Sequence, residues 1–179
     1  MKKTIVIYDS RFGNTEKIAR ALARGMEKQG VKVDCVKAGE VDVDKLVEYD
    51  FLAIGGPTHR RNVSASMEAF LEKLKSLNSR GKKAFAFDTR RRDWLAGSAG
   101  EEIEGRLKRL EMSIVKPYSS AIIFEEEKGR KQESESKEEW KERWHRSARL
   151  QEGMEEMFEQ IGIEIAKSIW AKAIVKSKK

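Results

Sequence analysis

Short β-rich apolar runs alternate with amphipathic stretches over the first two-thirds of the chain. Thr4 to Tyr8 is a nearly unbroken apolar run of the kind that a strand covered on both faces shows. Ser10-Arg11-Phe12-Gly13-Asn14-Thr15 follows, and then Ile18, Ala21, Leu22, Gly25 and Met26 recur at spacings of three and four, which predict a helix that Gly30 stops. Val31, Val33, Cys35 and Val36 predict a second strand, and Leu46-Val47 a short helical turn. Phe51 to Ile54 is a third strand ending in Gly55-Gly56-Pro57-Thr58, and Met67, Phe70, Leu71, Leu74 and Leu77 lie on one helix face. Ala84 to Phe87 is a fourth strand that closes at Asp88-Thr89, and Ile103, Leu107 and Leu110 mark the next helix. A strand region over Ser113 to Phe124 precedes a last helix carrying Leu150, Met154, Phe158, Ile161, Ile165 and Ile169. Five strands with intervening helices predict an α/β fold, a five-stranded parallel sheet with helices on both faces.

One segment breaks this rhythm. Glu125 to Arg149 holds eight Glu against eight Lys/Arg and almost nothing aliphatic. Its centre, Lys131 to Lys137, has the composition of a solvated loop. After it, Trp140 and Trp144 stand one helical turn apart, with Glu139 and Arg143 spaced for an i,i+4 pair. We read it as an insertion of about 125–149 before the last helix of a single domain spanning 1–179.

Composition narrows the classes. Charged residues make up 37% of the 179 positions and apolar ones 39%, and the formal net charge of +7 is the small remainder of 37 basic and 30 acidic side chains. The single cysteine, Cys35, excludes an internal disulfide and Cys-rich metal centres, and two histidines argue against a His-rich one. No run approaches the length of a transmembrane helix, and the apolar stretch after Lys2-Lys3 stops at Asp9, too soon for a signal peptide. The expectation is a cytoplasmic protein.

In an open α/β sheet, ligands bind outside the carboxyl ends of the strands. Three loops leave such ends: Ser10–Thr15, Gly55–Asn62 and Asp88–Ser98. The first joins a strand to a helix start, with Gly13 for close backbone approach and Ser10, Asn14 and Thr15 as polar neighbours, a pattern that suits either a phosphate cradle or ordinary helix capping. It lacks the Gly-Lys-Ser/Thr ending of a triphosphate loop and the three spaced glycines of a dinucleotide fingerprint.

Taken together, Tyr8-Asp9-Ser10-Arg11-Phe12-Gly13-Asn14-Thr15-Glu16 resembles the phosphate loop of flavodoxins. Gly55-Gly56-Pro57-Thr58-His59 is similar to the family's second flavin loop, and Phe87-Asp88-Thr89-Arg90 with Trp94 and Gly97-Ser98-Ala99 to the third. The resemblance covers about 150 residues, all but the insertion and parts of the tail. It implies a flavodoxin-like three-layer fold that binds FMN. The phosphate would lie on Ser10, Arg11, Phe12, Gly13, Asn14 and Thr15. The isoalloxazine ring would lie between Pro57, Thr58, His59, Arg60 and Asn62 on one side and Asp88, Thr89, Arg90, Trp94, Gly97 and Ser98 on the other. Trp94, a large aromatic in a polar loop, is the stacking candidate.

Two features depart from the family. Phe12 stands where many flavodoxins carry a hydroxyl, which removes one phosphate hydrogen bond. Arg11, Arg60, Arg61, Arg90, Arg91 and Arg92 make the flavin loops basic, where carrier flavodoxins are acidic; this rim suits an acidic redox partner, a carboxylated substrate or a nucleotide phosphate. The resemblance implies an electron carrier without a catalytic side chain. The alternative is an FMN-dependent oxidoreductase acting on a quinone or porphyrinogen, as flavodoxin-type protoporphyrinogen oxidases do; a scaffold that has lost its flavin is a third. Nucleic acid is not expected as a partner, because Glu138, Glu139 and Glu142 interrupt the basic and aromatic run around Trp140 and Trp144.

Overall fold

The computed structural model describes residues 3–59, 62–92, 97–124 and 131–176, with side chains up to residue 169. Strand β1 (Thr4–Tyr8) leads to helix α1 (Asn14–Glu27) and β2 (Val33–Lys37). Two short 3-10 turns, Ala38–Glu40 and Val43–Glu48, precede β3 (Phe51–Pro57) and α2 (Ala65–Leu74). Then come β4 (Lys83–Arg91), α3 (Ala99–Arg109), β5 (Ser113–Ile114) and β6 (Ser119–Phe124). The chain ends in α4 (Lys137–Arg146), β7 (Arg149–Leu150) and α5 (Met154–Lys176).

The sheet runs β2-β1-β3-β4-β6-β7, with β5 paired to the start of β4, and every ladder but β6–β7 is parallel. The expected fifth strand is therefore two strands. Pro117 supplies no N–H, so the ladder breaks between Ile114 and Ser119 and resumes two residues out of step along β4. The antiparallel β7 then closes the edge. Strands β3 and β4 also run past their apolar stretches, to Pro57 and Arg91, because ladder pairing continues after the side chains turn polar.

Side chains alternate between two cores. Val6, Tyr8, Ala53, Phe85 and Phe87 face α1 and α5, whereas Ile5, Ile7, Leu52, Ile54, Ala84 and Ala86 face α2 and α3. Phe87 meets Phe158 of α5 edge-on, centroids 6.0 Å apart. Helices α1 and α5 cross so closely that a Cβ on Gly162 would lie 2.2 Å from the Leu22 carbonyl oxygen. Because β1 pairs with β2 on one side and β3 on the other, strand order reverses above β1 and β3, and the carboxyl-end crevice opens there.

The helix after β6 is started by its own side chains. Ser136 accepts the Glu139 N–H while the Glu139 carboxylate accepts the Ser136 N–H, a reciprocal cap that starts α4. Glu139 is thereby used at the helix start, and among the described residues Arg143 reaches back to Glu135, at 2.9 and 3.0 Å, rather than to Glu139. Among the described residues, no helix is long and apolar enough to cross a membrane.

Candidate functional site

The loop after β1 is built by its own backbone. Gly13 sits at φ +88°, a left-handed conformation that L side chains rarely adopt, with open space where a side chain would project. The Ser10 hydroxyl oxygen accepts the Gly13 N–H at 3.1 Å, which tightens the turn. Helix α1 begins immediately, and its first intrahelical bond is Lys17 N–H to the Gly13 carbonyl at 3.0 Å. Among the described residues, the N–H groups of Phe12, Asn14, Thr15 and Glu16 find no acceptor. Four converging donors at a positive helix end form an anion cradle. Glu16 does not spoil it: its hydrogen bonds from the Arg20 guanidinium, at 2.7 and 2.9 Å, hold its carboxyl below the usual carboxylate range and neutralise its charge.

The polar side chains expected to reach the ligand from this loop are used elsewhere. Thr15 is 2% exposed, and its hydroxyl shares a 2.8 Å hydrogen bond with that of Thr89, also 2% exposed. Asn14 is buried and donates its amide to the Ala148 carbonyl at 3.0 Å. The exposed Arg11 guanidinium lies 5.1 Å from the Phe12 ring and bonds Glu142 at 2.6 Å. Among the described residues, the unpaired donors of this loop are therefore main-chain N–H groups, including that of Phe12.

The other two loops are tied together by one carboxylate. Asp88 is fully buried, and its Oδ2 accepts from the Thr58 hydroxyl at 2.9 Å, the Ser98 hydroxyl at 2.8 Å and the Gly100 N–H at 3.0 Å. Thr58 in turn accepts the Ala99 N–H at 2.9 Å, and Ser98 accepts the Glu101 N–H at 3.1 Å to cap α3. The ends of β3 and β4 and the start of α3 are thus knitted at one buried oxygen. Oδ1 of Asp88 is buried with no hydrogen-bond partner among the described residues.

Pro57 ends β3, and the Thr58 N–H continues the ladder to the Thr89 carbonyl at 2.9 Å. His59 and Asn62 exchange two backbone hydrogen bonds, 2.8 and 2.9 Å, so the second loop closes into a small antiparallel bridge with both side chains exposed. Arg90 points inward, donating to the Ser120 hydroxyl at 3.2 Å and to the Gly97 carbonyl at 3.3 Å. It anchors the third loop and leaves the basic rim smaller than the sequence implied. Arg91 and Arg92 are exposed. Arg60, Arg61 and Trp94 lie outside the described residues.

Sequence reasoning read helical spacing at Trp140 and Trp144 but did not set α4 against the site. Glu142 on Arg11, Ala148 on Asn14, and Trp144 with its ring 4.6 Å from the Arg91 guanidinium set this helix against the first and third loops. The one available signal was the turn-spaced pair Trp140 and Trp144.

A doubly covered parallel sheet with an anion cradle at its switch point defines a mononucleotide-binding protein. The chain belongs to the flavodoxin family, whose model matches residues 6–144. It is 27% identical over 123 residues to a flavodoxin of Clostridium saccharobutylicum, covering 68% of this chain and 76% of that one. It is 32% identical over 101 residues to an NAD(P)H dehydrogenase (quinone) of Cupriavidus metallidurans, covering 45% of this chain but only 51% of that protein. Among solved structures, an archaeal flavodoxin superposes with a TM-score of 0.70 at 23% identity, over 93% of this chain and 98% of the other. The rubredoxin oxygen:oxidoreductase of Desulfovibrio gigas gives 0.72 at 17% identity, with 97% of this chain matching 37% of that one.

The cofactor is FMN, and the donor set passes the test that its phosphate imposes: several unpaired N–H groups around a glycine with open space before it. The protein is an FMN-binding redox protein.

Proposed function

We propose that this protein is an electron carrier: it holds FMN by a main-chain phosphate cradle and exchanges electrons with a docked redox partner. FMN supplies the redox chemistry. The chain's part is to bind, orient and shield it. Phe12, Asn14, Thr15 and Glu16 would hold the phosphate by their N–H groups. The Thr58–His59 and Arg90–Ser98 loops, spaced by the Asp88 network, would flank the ring.

The observation that carries this reading is the fate of the two carboxylates at the sheet's carboxyl edge. Asp9 accepts the Ser64 hydroxyl at 2.5 Å, and Asp88 is fully buried with three donors on its Oδ2. Neither is poised to trade a proton with a substrate. An acidic partner is the better match for the exposed Arg91 and Arg92.

Likeness to a protein named NAD(P)H dehydrogenase (quinone) favours a second reading, a flavoenzyme that reduces quinones directly. Steady-state assays separate the two. The FMN-loaded protein, given NADH, NADPH or a porphyrinogen as electron donor and a water-soluble quinone as acceptor, should show no saturable turnover alone. It should exchange electrons rapidly with a small acidic iron–sulfur protein, and more slowly as salt rises. Saturable turnover of a small substrate without a partner protein would overturn the carrier reading.

A further inference from the structure

No residue of helix α4 is fully buried, yet among the described residues three contacts fasten it to the loops of the sheet's carboxyl edge. Arg11 Nη2 meets the Glu142 carboxylate at 2.6 Å, across 131 positions of sequence. Asn14 Nδ2 meets the Ala148 carbonyl at 3.0 Å, two residues past the helix. The Arg91 guanidinium lies 4.6 Å from the centre of the Trp144 ring.

The strand pleat explains how these contacts line up. On the α1 side of β4, alternate residues make a column: Phe87 meets Phe158, Thr89 meets Thr15, and Arg91 meets Trp144. Helix α4 is the step above Thr15, so it continues the α1 layer past the end of the sheet, beside the anion cradle. Two of its anchor partners flank cradle donors. Arg11 immediately precedes Phe12, and Asn14 contributes its side chain to the turn just after α4 and its N–H to the cradle.

We infer that α4 is a strap coupled to the phosphate loop, with Glu142 and Trp144 as positioning residues that fix the cradle and slow the escape of FMN. This rests on FMN lying with its phosphate on that loop. With Arg11 and Asn14 held from outside, the N–H groups of Phe12 and Asn14 need no reorientation when phosphate arrives. By linkage, a loop ordered by phosphate must tighten α4 by the same factor that α4 tightens the loop. Electrostatics alone gives the opposite sign. A carboxylate near a phosphate site repels it, so neutralising Glu142 should strengthen binding if charge were its only role and weaken it if the strap is real.

The test is hydrogen exchange of residues 137–147 in the full chain with and without FMN, together with FMN release followed by its fluorescence. FMN should slow exchange in this segment several-fold. Glu142→Gln and Trp144→Ala should each remove that protection and raise the release rate by about 5- to 20-fold, within the range of ordinary allosteric couplings. Trp144→Phe, which keeps an aromatic face for Arg91, should restore most of it. The melting temperature of the FMN-free protein should fall only slightly, since Glu142 and Trp144 are no more than half-buried. Exchange indifferent to FMN, or Glu142→Gln binding FMN more tightly, would overturn the strap. If the unaltered protein showed no saturable FMN binding at all, the FMN reading would fall, and the strap with it.

Discussion

The hydroxyls of Thr15 and Thr89 share one buried hydrogen bond, 2.8 Å long, that pins the first turn of α1 to the end of β4. It spans 74 residues and joins the loop after β1 to the loop after β4. Thr89→Val keeps the shape but leaves the Thr15 hydroxyl buried without a partner, at a cost of about 1–3 kcal/mol. The double variant Thr15→Val/Thr89→Val should recover most of that loss. Urea unfolding of the four proteins in the cycle measures the coupling. FMN affinity should change little in Thr15→Val, because the N–H and not the hydroxyl faces the cradle.

Asp88 makes a different point about the same loops. Asp88→Ala strips an acceptor from three donors at once and should destabilise the protein by about 2–5 kcal/mol. Asp88→Asn retains an acceptor oxygen and should lose less. FMN binding should fall in the same order, since Thr58 and Ser98 lose their common anchor. A thermal melt beside an FMN titration checks both. Equal stability of Asp88→Ala and the parent would remove the network from the account.

The α1–α5 crossing admits no methyl group. Gly162→Ala would place a carbon 2.2 Å from a backbone carbonyl oxygen, which cannot swing aside, so the helices must separate at a cost of roughly 1–3 kcal/mol or more. Gly105 in α3 is the control. Its nearest neighbour there is the flexible end of Arg109 at 3.8 Å, and Gly105→Ala should stabilise by up to about 1 kcal/mol through helix propensity. Denaturant midpoints for the two variants should move in opposite directions.

Alkaline stability follows from two acids that the fold keeps protonated. Burial pushes the Cys35 thiol up to about 11, from an ordinary 9.0. Burial, and then the hydrogen bond to Asp34, push the Tyr49 hydroxyl up to about 12, from 10.0. Above pH 9.0 the unfolded chain releases protons that the folded chain retains, so the unfolded state gains and stability falls as pH rises toward the folded values. Below that range both contributions are fully present. Melting temperatures taken from pH 8 to 11 should decline, and Cys35→Ala should flatten the first part of the decline. Native Cys35 should also resist alkylation at pH 8 and react on unfolding.

Much of this architecture was legible in the chain. The strand–turn–helix of Thr4 to Met26 carries both the buried run and the glycine that the cradle needs, and local pattern suffices for each. The directions of Asn14 and Thr15 were not legible, because a short polar side chain in a first helical turn serves a ligand or the protein equally well. What decides is Thr89 and Ala148, remote in sequence. The same holds for Arg90, which reads as rim and acts as an internal anchor. The split of the fifth strand was written in Pro117 but hidden by apolar residues on both sides. The docking of α4 was least visible, since Arg11 and Glu142 are two ordinary surface charges until the fold brings them together.

The central claim is that the backbone around Gly13 holds the phosphate of FMN, and the most direct measurement compares FMN with riboflavin, which differs only in lacking that phosphate. Two or more charge-assisted N–H bonds, at about 1.5–3 kcal/mol each, should make FMN at least about 100-fold tighter when both are titrated by flavin fluorescence. Gly13→Val, which strains the turn and fills the approach, should abolish most of the difference. Equal affinities for the two flavins in the unaltered protein would contradict the account.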